Sequence, residues 1–177
     1  MNPLELLEIF IKKGLVSDVI TYKRGEWIER EGAVSTTIYF VKSGSLKIYL
    51  QNKEAEQIIR FGYQNDLVVS LDSFLTNDKS DFNIQAIKET KVRCILKSDF
   101  FEVIYSDAKY LKIWILTLEN LVQQQIEREK DLLIDSPFER YNRVLKRSPK
   151  LFQEIPHKYI ANYLRMTPET LSRLKKS

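Results

Sequence analysis

The sequence predicts an α+β chain: an N-terminal antiparallel β-roll resembling a double-stranded β-helix, a long dimerisation helix, and a C-terminal helix-turn-helix. Three observations lead there. Short runs rich in β-branched and aromatic residues fill the first half, a helical apolar stripe follows, and the last 23 residues read as two short helices joined tightly. The expected boundaries are 1–105 for the roll, 106–134 for the helix and 135–177 for the final domain.

The roll comes first. Between about Val19 and Lys97 the runs ITYK, WIER, TTIYFVKSG, SLKIYL, QIIRFG, FNIQAI and KVRCILK alternate at short range. Turn signals separate them at Arg24-Gly25, Glu31-Gly32, Ser43-Gly44 and Thr76-Asn77-Asp78. Many short strands at such spacing predict an antiparallel sandwich, roll or barrel. Ahead of them Leu4, Leu7, Phe10 and Ile11 fall at helical spacing and predict a short amphipathic helix packed on the roll.

The second element runs over residues 106–134, where Leu111, Ile115, Leu118, Leu121, Val122, Leu132 and Leu133 recur with periods of three and four. A helix over that span would be about 43 Å long at 1.5 Å per residue. One small domain cannot cover that length, so the stripe calls for a second copy in a coiled-coil-like seam. Gln124, Gln125 and Arg128 interrupt it and give the seam a polar middle. A long helix lying on its own β-domain is the alternative.

The third element opens at Ser136-Pro137-Phe138-Glu139, a capping box with Ser136 as N-cap, Pro137 at N1 and Glu139 at N3. The helix it starts runs through Tyr141, Val144 and Leu145 and stops before Pro149, and a short connector follows. A helix from Pro156 to Leu164 turns Ile160, Ala161 and Leu164 inward, Ala161 being small where a second helix crosses closely. Arg165 and Met166 make the turn. Thr167 is then an N-cap, Pro168 sits at N1, and Leu171 and Leu174 form the buried side of a last helix.

Charge and composition bound the function. Of 177 residues 44% are hydrophobic and 29% charged, and the net charge is +4. From Glu139 onward there are ten Lys and Arg against three Glu, which leaves the rest of the chain net acidic. An acidic body with a basic end suits contact with a polyanion. No apolar run approaches a membrane span, and the first residues carry Glu5 and no basic n-region, so neither membrane insertion nor secretion is expected and a cytoplasmic location is. The single Cys94 cannot form an intramolecular disulfide or a thiolate cluster.

The outward face of the last helix is arranged for reading duplex DNA. Its N-terminal residues reach base edges in a major groove while hydroxyls and amides meet phosphate. Arg173 suits a bidentate contact to guanine, and Glu169 accepts from a cytosine amine or orients Arg173 one turn away. Thr167, Thr170, Ser172, Lys175, Lys176 and His157 complete the candidate DNA-binding set. A helical hairpin that merely caps the chain is the bland alternative.

Here the chain resembles the Crp/Fnr family of bacterial regulators over essentially its whole length. PHKYIANYL and TPETLSRLKK resemble the family's helix-turn-helix. EGAVSTTIYFVKSGSLKIYL resembles its cyclic-nucleotide-binding, cupin-like roll, with Gly32 and Gly44 at the expected turns. The family commonly reads bases with an arginine, a glutamate and a second arginine; Glu169 and Arg173 match, whereas Pro168 stands at the first arginine, so a different half-site is implied. A winged-helix-like domain without its final wing is also implied. So are a homodimer on a pseudo-palindromic duplex site and a contact with RNA polymerase.

The resemblance also frames the effector. Nucleotide-binding members hold phosphate and ribose with Gly-Glu on a short helix and neutralise the phosphate with Arg-Ser or Arg-Thr. Val69 and Ser70 align with Gly-Glu, and Ser80 and Asp81 with Arg-Ser. A carboxylate at Asp81 repels phosphate, although Lys79 next to the pair restores a positive charge. The candidate effector pocket is therefore Val69, Ser70, Lys79, Ser80 and Asp81, with Gln125 and Arg128 from the long helix, and cyclic AMP is not the expected ligand. An iron–sulfur cluster needs about four thiolates. A family-type haem needs a histidine in the sensor, and the one histidine, His157, lies in the basic segment. No cofactor, no metal and no enzyme activity are expected; an unknown small molecule or a partner protein is left as the signal. Two other readings stay open: an interaction module of the same roll without a DNA role, and a cupin-like metalloenzyme, which would need clustered His and Glu ligands.

Overall fold

The computed structural model describes residues 3–53 and 55–175, with the side chains of residues 3 and 4 left aside. It divides into two compact units, Met1–Leu118 and Glu119–Ser177. No helix among the described residues is long and apolar enough to cross a membrane.

The first unit opens with α1 (Pro3–Lys12), followed by β1 (Ile20–Tyr22), β2 (Trp27–Glu29), β3 (Thr37–Ser43), β4 (Ser45–Gln51), β5 (Glu56–Tyr63) and β6 (Leu67–Val68). Then come α2 (Leu71–Thr76), β7 (Asn83–Ala86), β8 (Thr90–Leu96) and α3 (Lys97–Tyr105). The strands form two antiparallel sheets, ordered β1-β8-β3-β6 and β2-β7-β4-β5. Every early strand therefore pairs with a late one: β1 with β8, β2 with β7, β3 with β6 and β4 with β5. One long hairpin folded over on itself gives this pairing, and it is the double-stranded roll that the short alternating runs predict.

One core lies between the sheets, where Tyr39, Val41, Leu46, Ile48, Val68, Ile84, Ala86 and Val92 meet. The other seats the helices: Leu6 and Phe10 of α1, Phe74 of α2 and Phe100, Val103 and Ile104 of α3 pack with Trp114. Phe100 touches both Phe10, stacked at 5.5 Å, and Trp114, edge-on at 5.0 Å. The sequence reading runs its strand texture to Lys97 and starts the next helix at 106, and so misses α3. Its nine residues continue straight from β8, and only Phe100, Val103 and Ile104 mark its inner face.

Gly44 closes the β3–β4 hairpin at φ +94°, and a Cβ there would lie 2.4 Å from Glu89 O. That close approach lets Ser45 N donate to Thr90 Oγ1 (3.1 Å), so one hairpin end is stitched to the β7–β8 turn. Only glycine meets both demands.

Helix α4 (Ala108–Leu132) runs through the division between the units. In the first unit Tyr110, Leu111, Ile113, Trp114 and Leu118 pack on the helical core. Ile115, Val122, Ile126 and Leu133 are exposed, by 45% or more each. At 100° per residue these four fall on one side, away from Trp114. The helix is thus apolar on two faces, one covered by its own chain and one bare. Ile126, absent from the predicted stripe, bridges its interrupted middle, while Leu111, Leu118 and Leu121 are part-buried.

The second unit adds α5 (Pro137–Arg147), α6 (Pro149–Glu154), α7 (His157–Tyr163) and α8 (Pro168–Leu174). The predicted connector after Pro149 is in fact α6, begun by that proline at its first turn. Tyr141, Val144, Leu151, Ile155, Ile160, Ala161, Leu164 and Leu171 are buried and form its small core.

Candidate nucleic-acid interface

The geometry of this unit follows from its caps. Ser136 Oγ accepts from Glu139 N at 3.3 Å and Pro137 occupies the first turn of α5, as the capping box predicts. At the end of α7, Arg165 N donates to Asn162 O and Met166 N to Ala161 O, both at 3.0 Å. Arg165 itself sits at φ +55°. These paired bonds around one left-handed residue are a Schellman motif. It turns the chain sharply, and Thr167 then starts α8, its Oγ1 accepting from Thr170 N at 3.2 Å. Pro168 sits at the first turn.

The result is two short helices in contact, with Ala161 of α7 fully buried and Leu171 fully buried beneath α8. On the other side of α8 Glu169, Ser172 and Arg173 are exposed at i, i+3 and i+4, with Thr167 and Lys175 exposed at its two ends and Thr170 half-buried. The Glu169 carboxyl is held below its ordinary pKa by its own backbone N–H and by the Thr167 hydroxyl. It remains an acceptor at neutral pH. Lys175 Nζ lies 2.6 Å from His157 Nε2, so α7's first residue and α8's cap present one polar surface. Of the predicted DNA-binding residues, Thr167, Glu169, Ser172, Arg173, Lys175 and His157 are thereby exposed on the two helices; Lys176 lies outside the described residues.

Not all the basic residues of this segment face outward. Arg143 and Arg147 of α5 bind Glu127 and Asp131 of α4. Asp131 is fully buried and receives Arg143 Nε and Arg147 Nη1 at 2.9 Å each, with Arg147 Nη2 also in contact. Burial, the largest single influence, opposes the charge of Arg147, but its hydrogen bond to Asp131 together with the nearby charges of Asp131, Tyr163 and Glu127 outweighs it and its pKa is raised. Arg140 is buried as well. Summed charge along a sequence cannot distinguish an arginine that faces water from one that clasps a neighbouring helix.

Arg128, placed with the effector pocket by the sequence reading, is 6% exposed and lies over the Tyr163 ring at 3.6 Å. Its long side chain lies along the side of α4 that carries Asp131, toward α7. Burial lowers its pKa. Gln125 is exposed.

In the roll, α2 and the loop after it bring four of the other candidates together. Val69 belongs to the helical core, Ser70 is fully buried just before α2, and Ser80 is buried in the loop. Asp72, which the sequence reading passes over, holds two of them: Ser80 Oγ donates to its carboxylate at 3.0 Å and Asp81 N at 3.0 Å. Lys79 and the Asp81 side chain point to solvent. Nearby, burial raises the pKa of Glu29, an effect partly offset by the hydroxyls of Ser70, Ser35 and Tyr39. Ser35 Oγ donates to it at 3.0 Å.

Comparison with known proteins agrees with this architecture. FixK2 from Bradyrhizobium japonicum is similar with a TM-score of 0.74 and 21% identity, over 90% of this chain and 82% of its own. CLP from Xanthomonas campestris, described as a c-di-GMP responsive global regulator, gives 0.69 and 16% over 98% and 90%. A protein from Eubacterium rectale described as a regulator of the Crp/Fnr family gives 0.66 and 19% over 90% and 77%. No curated protein matches the sequence significantly. The model of the cyclic nucleotide-binding domain matches residues 19–107. With that match over half its length, the chain belongs to the cyclic nucleotide-binding domain family, and its fold is that of the Crp/Fnr regulators.

Proposed function

We propose that the protein is a sequence-specific, DNA-binding transcription regulator of the Crp/Fnr type, acting as a homodimer on a pseudo-palindromic site and not responding to cyclic AMP. One observation carries the reading: the Schellman turn at Arg165 sets α8 on α7 with Leu171 buried and Glu169, Ser172 and Arg173 turned out together. A helix so presented suits a major groove. Arg173 reads guanine through O6 and N7, and Glu169 accepts from a cytosine amine. Thr167, Ser172 and Lys175 meet phosphate.

The bare face of α4 supports the dimer. Four exposed aliphatic side chains aligned on one helix side form a continuous apolar stripe, and covering them contributes up to roughly 1.5–3 kcal/mol for a fully exposed side chain and less for those already half-buried. A second copy of the same helix covers them by two-fold symmetry and sets the two α8 helices about 34 Å apart, one turn of duplex.

Asp72 supports the insensitivity to cyclic AMP. Its carboxylate already takes the Ser80 hydroxyl and the Asp81 amide, the donors on which a phosphate in the family's manner would draw. Titration calorimetry with cyclic AMP is expected to give no heat of binding. RNA polymerase is the partner expected downstream.

Arg173→Ala tests the reading. Loss of sequence preference with residual, salt-sensitive binding to any duplex is the expected result. An unchanged preference would sink the assignment, and unchanged binding to a protein partner with no DNA affinity would favour the interaction-module alternative.

A further inference from the structure

We infer that Arg128 and Asp131 are positioning residues, which fix the direction of α8 against the axis of α4. The inference rests on the DNA-reading role proposed above and names how that role is held in register. Residues 133–136 alone join α4 to α5, and a link of that length with its soft backbone dihedrals leaves the direction of the helices beyond it open. The direction must be set by side chains.

Two grips do so. Asp131 and Glu127 of α4 hold Arg143 and Arg147 of α5. One turn away, the Arg128 guanidinium sits over the Tyr163 ring. Tyr163 is the last residue of α7 and directly precedes the turn that carries α8. A planar guanidinium on a ring and a forked guanidinium on a carboxylate are directional contacts, so together they admit one orientation. Both are bought dearly. Asp131 is fully buried, and Arg128 is buried with no hydrogen-bond partner at Nη1. Apolar side chains of similar size would pack there at comparable or lower cost.

The faces of α4 give the grips their use. Glu127, Arg128 and Asp131 fall opposite Val122, Ile126 and Leu133 at 100° per residue. One helix thus meets its partner copy with one side and grips its DNA-reading unit with the other. Any change in how two α4 helices sit against each other then reaches α8 undamped.

Nitroxide labels at Gln123→Cys and Ser172→Cys, in the full-length chain with Cys94→Ser and mixed with an excess of unlabelled chain so that a dimer carries at most one labelled copy, measure the coupling directly. The native pair is expected to give one narrow distance distribution. Asp131→Asn and Arg128→Met are expected to widen it at least twofold, while Arg128→Lys, which keeps a cation over the ring, keeps it narrow. Protected amides at Val144 and Ile160 establish that the unit is still folded; should Asp131→Asn open it, Arg128→Met leaves the carboxylate cluster in place and carries the same test. Unchanged widths would overturn the inference.

In duplex pools with two half-sites at varied spacing, the two disruptive variants are expected to accept several spacings where the native protein accepts one, with the same half-site sequence. Weaker binding at one retained spacing would reduce both residues to a stabilising role and overturn it equally. If the native protein selects no DNA while the distances respond, the DNA reading fails and the mechanical coupling stands.

Discussion

Arg165 holds a left-handed backbone, φ +55°, where the chain of the second unit turns from α7 into α8. Glycine is the usual occupant of such a cap. Arg165→Gly is therefore expected to stabilise the unit by about 0.5–1 kcal/mol in urea unfolding. Thr167→Ala removes the cap of α8 and is expected to cost about 1 kcal/mol, read in the same way. Glu29 gives a pH signature. Burial raises its folded pKa above its ordinary value of 4.5, so its contribution to stability is complete below about that pH and is lost as pH rises through the folded value. Glu29→Gln should show a smaller fall in unfolding midpoint over that rise; parallel curves for both proteins would contradict the assignment. Thr167, Pro168 and Ser136 were legible in the sequence because capping is local chemistry. Asp72 was not, since its partners Ser80 and Asp81 reach it only once α2 and the following loop are folded together.

At the scale of elements, alternation of apolar residues suffices to recover the roll, and the turns at Gly25, Gly32 and Gly44 all carry positive φ. Gly44→Ala is expected to damage the roll more than any other glycine substitution, by more than 3 kcal/mol, because strain at positive φ adds to a backbone clash. Gly32→Ala, which meets only open space, provides the comparison for the strain alone. Helix α4 shows where periodicity runs out. A stripe of threes and fours identifies an amphipathic helix, but two apolar faces and one charged face on the same helix overlap in such a pattern. Ile126 and the role of Arg128 were hidden by that overlap, and α3 and α6 were too short to display a period.

For the whole molecule the bare stripe and the exposed face of α8 belong to one account. Ile126→Asp places a charge in the bare α4 face proposed as the dimer seam and is expected to yield monomers in sedimentation equilibrium with the roll intact. Such monomers should lose most of their affinity for a two-half-site duplex, since each keeps a single reading helix. The measurement that bears most directly on the account is selection from a randomised duplex pool by the purified, ligand-free protein at moderate salt. Enrichment of an inverted repeat with half-sites about one helical turn apart is the expected result. Enrichment of nothing, both in that buffer and with cell extract added to supply an effector, would contradict it.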